Sequence, residues 1–414
     1  MNGSDLPNGW AVQELDSLRA KGEHTFVGGP FGSDLTSKDY VQEPGVPVIR
    51  GTNLGGNESR FIDDGFVYVS ARKADALRRN MAFPGDVVFT QRGTLGQVAV
   101  IPRAARFDRY VISQSQMKLS PDPAKIESRF LYYYFRSPRI LDQLLRQTQA
   151  TGVPHINLGI LKRFPVVVPP LPAQRRIAEV LDRAEALRAK RRAALAQLDT
   201  LTQSIFLDLF GDPSHGSNEW SSVMLGDVAE IITGYAFRSQ EYQGPANGIR
   251  LCRGANVMPG RLDWSDLACW PADRTESLDD FNLVPGDIVL AMDRPWISEG
   301  FKLSEVRASD CPALLVQRVA RLRGKTGVPN VFLLHTLGQP AFVRHCRPTE
   351  TTIPHISPKE IRSFTFLFPP LALQRDFARR IAAVDKLKSA HRASLAKLDA
   401  LFAALQHRAF RGEL

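Results

Sequence analysis

Cysteine is scarce in this 414-residue chain. The four that occur, Cys252, Cys269, Cys311 and Cys346, show no CxxC spacing, and residues 1–251 have none. That argues against a disulfide framework or a cysteine zinc site and fits a reducing cytosol. Long apolar runs are missing too: none approaches the roughly 20 residues needed to cross a bilayer. The opening Met1-Asn2-Gly3-Ser4-Asp5 does not start a basic-then-apolar leader. A soluble, cytoplasmic protein with no membrane partner is expected.

Signatures of catalysis are equally sparse. Gly324-Lys325-Thr326 has Val319 where a phosphate-binding loop needs its first glycine. There is no Asn-Pro-Pro-aromatic motif, no convincing glycine-rich donor loop, no His/Cys metal spacing and no Ser-His-Asp arrangement. Pro121-Asp122 followed by Glu127-Ser128-Arg129 has a nuclease-like order, but its proline-broken context reads as a loop. No catalytic residue, metal or cofactor is expected. Acidic residues are outnumbered, 43 against 53 Lys and Arg, leaving a net charge of +10. With a pI near 9.6, the first partner to consider is a polyanion such as nucleic acid. The remaining composition, 43% hydrophobic and 23% charged, is that of a globular protein long enough for two or more cores.

What the chain does have is a repeat. Pro154–Phe210 aligns without gaps to Pro354–Phe410, with 19 of 57 positions identical; unrelated segments of this composition would share about three or four. The identities include Pro-His-Ile at 154–156 and 354–356, Pro169-Pro170-Leu171 with Pro369-Pro370-Leu371, and Gln174-Arg175 with Gln374-Arg375. Weaker echoes lie upstream: Trp10 and Leu15 with Trp220 and Leu225, Arg50-Gly51-x-Asn53 with Arg253-Gly254-x-Asn256, Pro84-Gly85-Asp86 with Pro285-Gly286-Asp287, and Gln114 with Gln317. A unit of about 200 residues is too long for a solenoid repeat. It reads as a duplicated module plus helix, with loops free to differ. Within a module, β-branched runs at Val46–Ile49, Phe66–Val69, Asp86–Thr90 and Gln97–Ile101 read as strands. Phe130–Arg136 and Val331–Thr336 read as helices.

After each Pro-Pro-Leu the period turns helical. Val180, Ala184, Leu187, Arg191, Ala194, Leu198, Leu201 and Ile205 follow alternating steps of four and three, as do Arg380, Val384, Leu387, His391, Ser394, Leu398, Leu401 and Leu405. That spacing predicts a coiled-coil seam. Prolines 169, 170 and 172 mark the start, and Gly211 with Pro213 the stop. Each helix then runs about 38 residues, or roughly 57 Å. Two unrelated amphipathic helices would show the same pattern; an antiparallel pair, with Arg191 and His391 meeting near a pseudo-twofold axis, accounts for the duplication as well. The expected fold class is α+β. Two mixed α/β domains, 1–168 and 213–368, are separated by spacer helices at 169–212 and 369–414 forming an antiparallel coiled coil.

This order of parts resembles the specificity subunits of type I restriction–modification systems. Gly234-Tyr235-Ala236-Phe237, Pro285-Gly286-Asp287-Ile288-Val289-Leu290, Gln317-Arg318-Val319-Ala320 and the closing Ala409-Phe410-Arg411-Gly412-Glu413-Leu414 are similar to that family's motifs. One departure stands out: Met292-Asp293-Arg294-Pro295-Trp296 replaces the Gly-Thr-type turn seen at Arg92-Gly93-Thr94-Leu95-Gly96. The resemblance implies two target-recognition domains, each reading one half of a split sequence in double-stranded DNA. It also implies two methyltransferase subunits that methylate adenine, and restriction–motor subunits that join for cleavage. Methyl donor and ATP would bind those partners, and this chain would need no cofactor.

Reading bases calls for Arg toward guanine and Asn or Gln toward adenine, carried on loops. The candidates are Arg50, Asn53, Gln91, Arg92 and Thr94 in the first module and Arg253, Asn256, Asp293, Arg294 and Trp296 in the second. Asn53 and Asn256 equally suit a shared structural turn. Gln91, Arg92, Asp293 and Arg294 differ between copies after a shared Pro-Gly-Asp strand, which suits sequence choice. Arg72, Lys73, Arg78 and Arg79 would meet phosphates or solvate a helix, and Arg188, Lys190, Arg191 and Arg192 would face DNA, a partner or water. His155 and His355 are read as joints between module and helix. The rival class is a coiled-coil adaptor that assembles proteins and whose basic surface is incidental.

Overall fold

The computed structural model describes residues 6–42, 45–56, 59–147, 155–211, 220–244, 248–346 and 354–414. Pro154 of the repeated Pro-His-Ile and Pro213 of the helix stop lie outside the described residues. The chain divides into two compact units, Met1–Ala193 with Arg392–Leu414, and Ala194–His391.

In the first unit Val46–Ile49 pairs parallel with Tyr110–Ile112 and antiparallel with Val67–Val69; Met81–Ala82 and Tyr40–Val41 close the two edges. A second sheet orders Phe26–Gly28, Gln116–Leu119, Val87–Thr90 and Val98–Val100. Its middle strands are buried on both faces, and their two-residue alternation divides two cores. Val87 and Phe89 face the side occupied by the aromatic helix Ser128–Phe135, whereas Val88 and Ala99 face Phe61, Phe66 and Tyr110. Apolar side chains on both faces explain why these β-branched strands alternate only in part.

The second unit repeats the plan. Gly248–Cys252 pairs parallel with Ala313–Leu315 and antiparallel with Cys269–Pro271, with Asn282–Leu283 at the edge. The companion sheet orders Ala229–Thr233, Val319–Gly324, Ile288–Ala291 and Leu303–Glu305. Ile288 and Leu290 face one core while Val289 and Ala291 face the other. Strand order is therefore the same in both units, apart from the extra Tyr40–Val41 edge. All four cysteines are free thiols.

Two long helices, Leu171–Phe210 and Leu371–Ala409, follow the proline pairs. Gln174 donates from Nε2 to the Pro169 carbonyl at 2.8 Å, and Gln374 repeats this bond to Pro369 at 2.8 Å. The recurring Pro-Pro-Leu-x-x-Gln is thus a helix-start device that binds an otherwise unpaired carbonyl. At the other end, Phe410 packs on Phe130 and Tyr134 within the first unit, and Phe210 packs on Phe332 and Phe377 within the second. Each aromatic plugs its helix into a module core.

The inward face of these helices differs from the expected seam. In the first unit Ile177, Leu181 and Ala184 are buried, and the next inward residue is Arg188, whose guanidinium lies over the Phe402 ring at 4.4 Å and bonds Asp399 at 2.6 Å. In the second, Phe377, Ile381 and Val384 lead to buried Lys388, which meets Asp199 at 2.9 Å and Thr202 at 3.1 Å. Leu187, Leu201, Leu387 and Leu401 are instead 52, 43, 51 and 48% exposed. Long basic side chains bury their stems against aromatic and aliphatic groups while their charges find carboxylates. That rotates the inward line by one residue, away from the leucines.

Candidate nucleic-acid interface

Both modules end their central strand in a loop held by the same three backbone bonds. In the first unit, Gln91 N–H donates to the Ser115 carbonyl (2.7 Å), Ile156 N–H donates to the Gln91 carbonyl (3.1 Å), and Arg92 bridges to His155. In the second, Met292 N–H donates to Arg318 (2.9 Å), Ile356 N–H donates to Met292 (2.8 Å), and Asp293 bridges to His355. The histidines therefore act as joints between the loop and the segment entering each long helix. Gln91 matches Met292, Arg92 matches Asp293, and Gly93 matches Arg294.

Gly93 has φ +98 and Arg294 has φ +46. The second loop thus keeps the left-handed turn without its glycine, a conformation that costs a side-chain-bearing residue about 1–2 kcal/mol. In the first loop Arg92 and Thr94 are exposed and Gln91 is half-buried. No side-chain hydrogen bond or ion pair to a described residue engages any of the three. Arg294 is exposed in the same way, its backbone N–H donating to Pro354 at 2.9 Å. Asp293 is not free. Its Oδ1 meets His355 Nδ1 at 2.6 Å and its Oδ2 accepts from Arg318 Nη1 at 2.5 Å. Burial opposes ionisation of Asp293, but the bonds from His355 and Arg318 outweigh it and hold the carboxyl below its ordinary range.

The remaining candidates are engaged inside their modules. Asn53 is buried; Oδ1 accepts from Arg50 N–H (2.9 Å), and Nδ2 donates to the Ile62 and Asp64 carbonyls (3.2 and 3.0 Å). Asn256 repeats the pattern, accepting from Arg253 N–H (3.1 Å) and donating to Asp263 and Asp266 (2.9 and 3.0 Å). Arg253 also pairs with the Asp266 carboxylate at 3.0 Å, and Arg50 reaches the Gly65 carbonyl. Trp296 packs on Phe301 with ring centroids 5.6 Å apart, and its indole N–H is buried without an acceptor among the described residues. Lys73 pairs with Asp39 at 2.8 Å, whereas Arg72, Arg78 and Arg79 are exposed. Arg92, Thr94 and Arg294 thus stand exposed on their loops, Asp293 is held by His355 and Arg318, and the Arg-Gly-x-Asn turns and Trp296 are engaged within their modules. Arg318, passed over in the sequence, joins the second loop.

The model of the type I restriction modification DNA specificity domain matches residues 34–197. The chain is 27% identical over 293 residues to the type I restriction enzyme MjaVIII specificity subunit of Methanocaldococcus jannaschii, covering 67% of this chain and 68% of that one. Over these lengths the chain is similar to type I restriction–modification specificity subunits. Two solved structures share its fold over nearly their whole length. One, from work on complex assembly and conformational transition of the type I R-M system, superposes with a TM-score of 0.57 at 21% identity, covering 99% of both chains. The other, the type I restriction–modification S subunit of M. genitalium, gives 0.57 at 15% identity, covering 99% and 98%. The matched specificity domain takes in Arg50, Asn53 and the Gln91–Thr94 loop, then runs into the first long helix.

Proposed function

We propose that this chain is the DNA-specificity subunit of a type I restriction–modification complex and has no catalytic step of its own. Each unit reads one half of a split target in double-stranded DNA. The observation that carries this is the loop built twice on one backbone plan, with different side chains at matching positions. A shared scaffold with divergent loops is what reading two unlike half-sites requires. The long helices form an antiparallel coiled coil with pseudo-twofold symmetry, acting as a ruler between domains bounded at 168, 212 and 368. A helix of 40 residues, about 60 Å long, has the reach to set the unread gap. The half-sites then lie near one helical turn apart on the same side of the duplex. Two methyltransferase subunits and the restriction–motor subunits complete the complex in the cytoplasm. The half-exposed leucines of both long helices support docking of protein partners.

The test is a map of N6-methyladenine in cells carrying the partner methyltransferase, with and without this chain. A two-part motif around an unspecified gap, appearing only with the chain, is the expected result. An active partner whose methylation ignores the chain would instead favour the adaptor role.

A further inference from the structure

The matched backbone bonds align more than the two loops. Because Gln91 and Met292 donate to Ser115 and Arg318 respectively, Ser115 and Arg318 occupy the same position. Arg92 and Asp293 occupy the adjoining one. At these two matched positions the cation has changed places: the first unit has Arg92 and Ser115, and the second has Asp293 and Arg318. We propose, building on the DNA-reading role above, that Arg318 is the base-reading residue of the second unit and that Asp293 positions it instead of reading a base.

Three observations carry this. Both Asp293 carboxylate oxygens are engaged, one by His355 at 2.6 Å and one by Arg318 at 2.5 Å. Accepting from a cytosine amino group would mean giving up one of these bonds. Arg318 spends Nη1 on Asp293 yet keeps 69% of its side chain exposed. Its remaining N–H donors form the planar edge that pairs with guanine O6 and N7. Finally, Arg318 has φ +67, a left-handed backbone that glycine or asparagine adopts more readily. An exposed ion pair contributes too little to fold stability to account for arginine there.

The experiment uses the assembled methyltransferase complex and measures binding to its own target, to single-base-pair variants of each half, and to unrelated DNA. Arg318→Ala is expected to weaken binding roughly tenfold to a hundredfold. The loss is confined to one G·C pair in one half-site: DNA altered at that pair binds both complexes equally, and discrimination in the other half is unchanged. Asp293→Asn reduces the same discrimination, and Arg318→Lys does not restore it. Arg318→Gly suits the left-handed backbone and guards against a misfolded alanine variant. A uniform loss on all sequences, with the salt slope reduced by about one, would make Arg318 a phosphate contact and overturn the proposal. Unchanged specificity in a sequence-specific complex overturns it too, while leaving the DNA-reading role standing. A wild-type complex without sequence preference would bring down both.

Discussion

Single side chains in this protein sort by what their polar atoms already hold. Asn53 and Asn256 satisfy one backbone donor and two carbonyls each from buried positions. Asn53→Ala leaves those groups unpaired and is expected to lower stability by about 1–3 kcal/mol, read as a shift in the urea midpoint, with base preference unaltered. Arg92→Ala should do the reverse. Its guanidinium is exposed, so stability should stay within about 0.5 kcal/mol while target binding weakens. His335 adds a pH dependence: burial, and then the Lys388 ammonium, push it down to about 4. The unfolded chain protonates that ring near pH 6.5, so the unfolded state binds the extra proton first as pH falls. Stability therefore drops between about pH 6.5 and 4 and is indifferent to this residue above that window. His335→Phe preserves the ring packing on Phe377 and should flatten the loss, seen by comparing urea midpoints at pH 7 and pH 5.

Among the elements, the long helices show how much a pattern leaves open. Alternating steps of four and three marked both helices, and proline marked their starts, because a helix needs only a period and punctuation. The inward face was not legible. Leu187 and Arg188 are neighbours, and the choice between them rests on Phe402 and Asp399, more than 200 positions away. The leucines left outside keep about half of their apolar surface exposed. The isolated chain is therefore expected to self-associate, and Leu187→Gln with Leu401→Gln should shift sedimentation toward monomer with little change in melting temperature. A wild-type chain that stays monomeric at every concentration would contradict this. Strands tell a similar story. Runs at 46–49 and 86–90 correspond to Val46–Ile49 and Val87–Thr90, but the parallel pairing of the first with Tyr110–Ile112 joins segments that no local pattern links.

For the whole molecule, the net charge of +10 makes a prediction that separates DNA reader from adaptor. Binding to the target duplex should fall linearly in log–log form as salt rises, with a slope near −0.9 for each phosphate neutralised. An adaptor with an incidental basic surface would show no sequence-dependent term on top of that slope. The duplication also fixes what to compare: matching positions that keep their residue, such as Gln174 and Gln374 or Asn53 and Asn256, hold the scaffold together. Positions that change, such as Arg92 against Asp293, are where the two modules diverge in chemistry.

The repeat, the helix punctuation and the family motifs are local or periodic features, and the sequence by itself determined them: a duplicated α/β module with a long helix after each copy. Which side chains face outward depends on partners brought in from distant parts of the chain. Tertiary structure alone turned Asn53 and Asn256 inward onto backbone carbonyls, packed Trp296 on Phe301, and set Arg318 beside Asp293 across 25 residues. A polar side chain looks the same in sequence whether its hydrogen bonds are spent or free, and only the folded chain decides which.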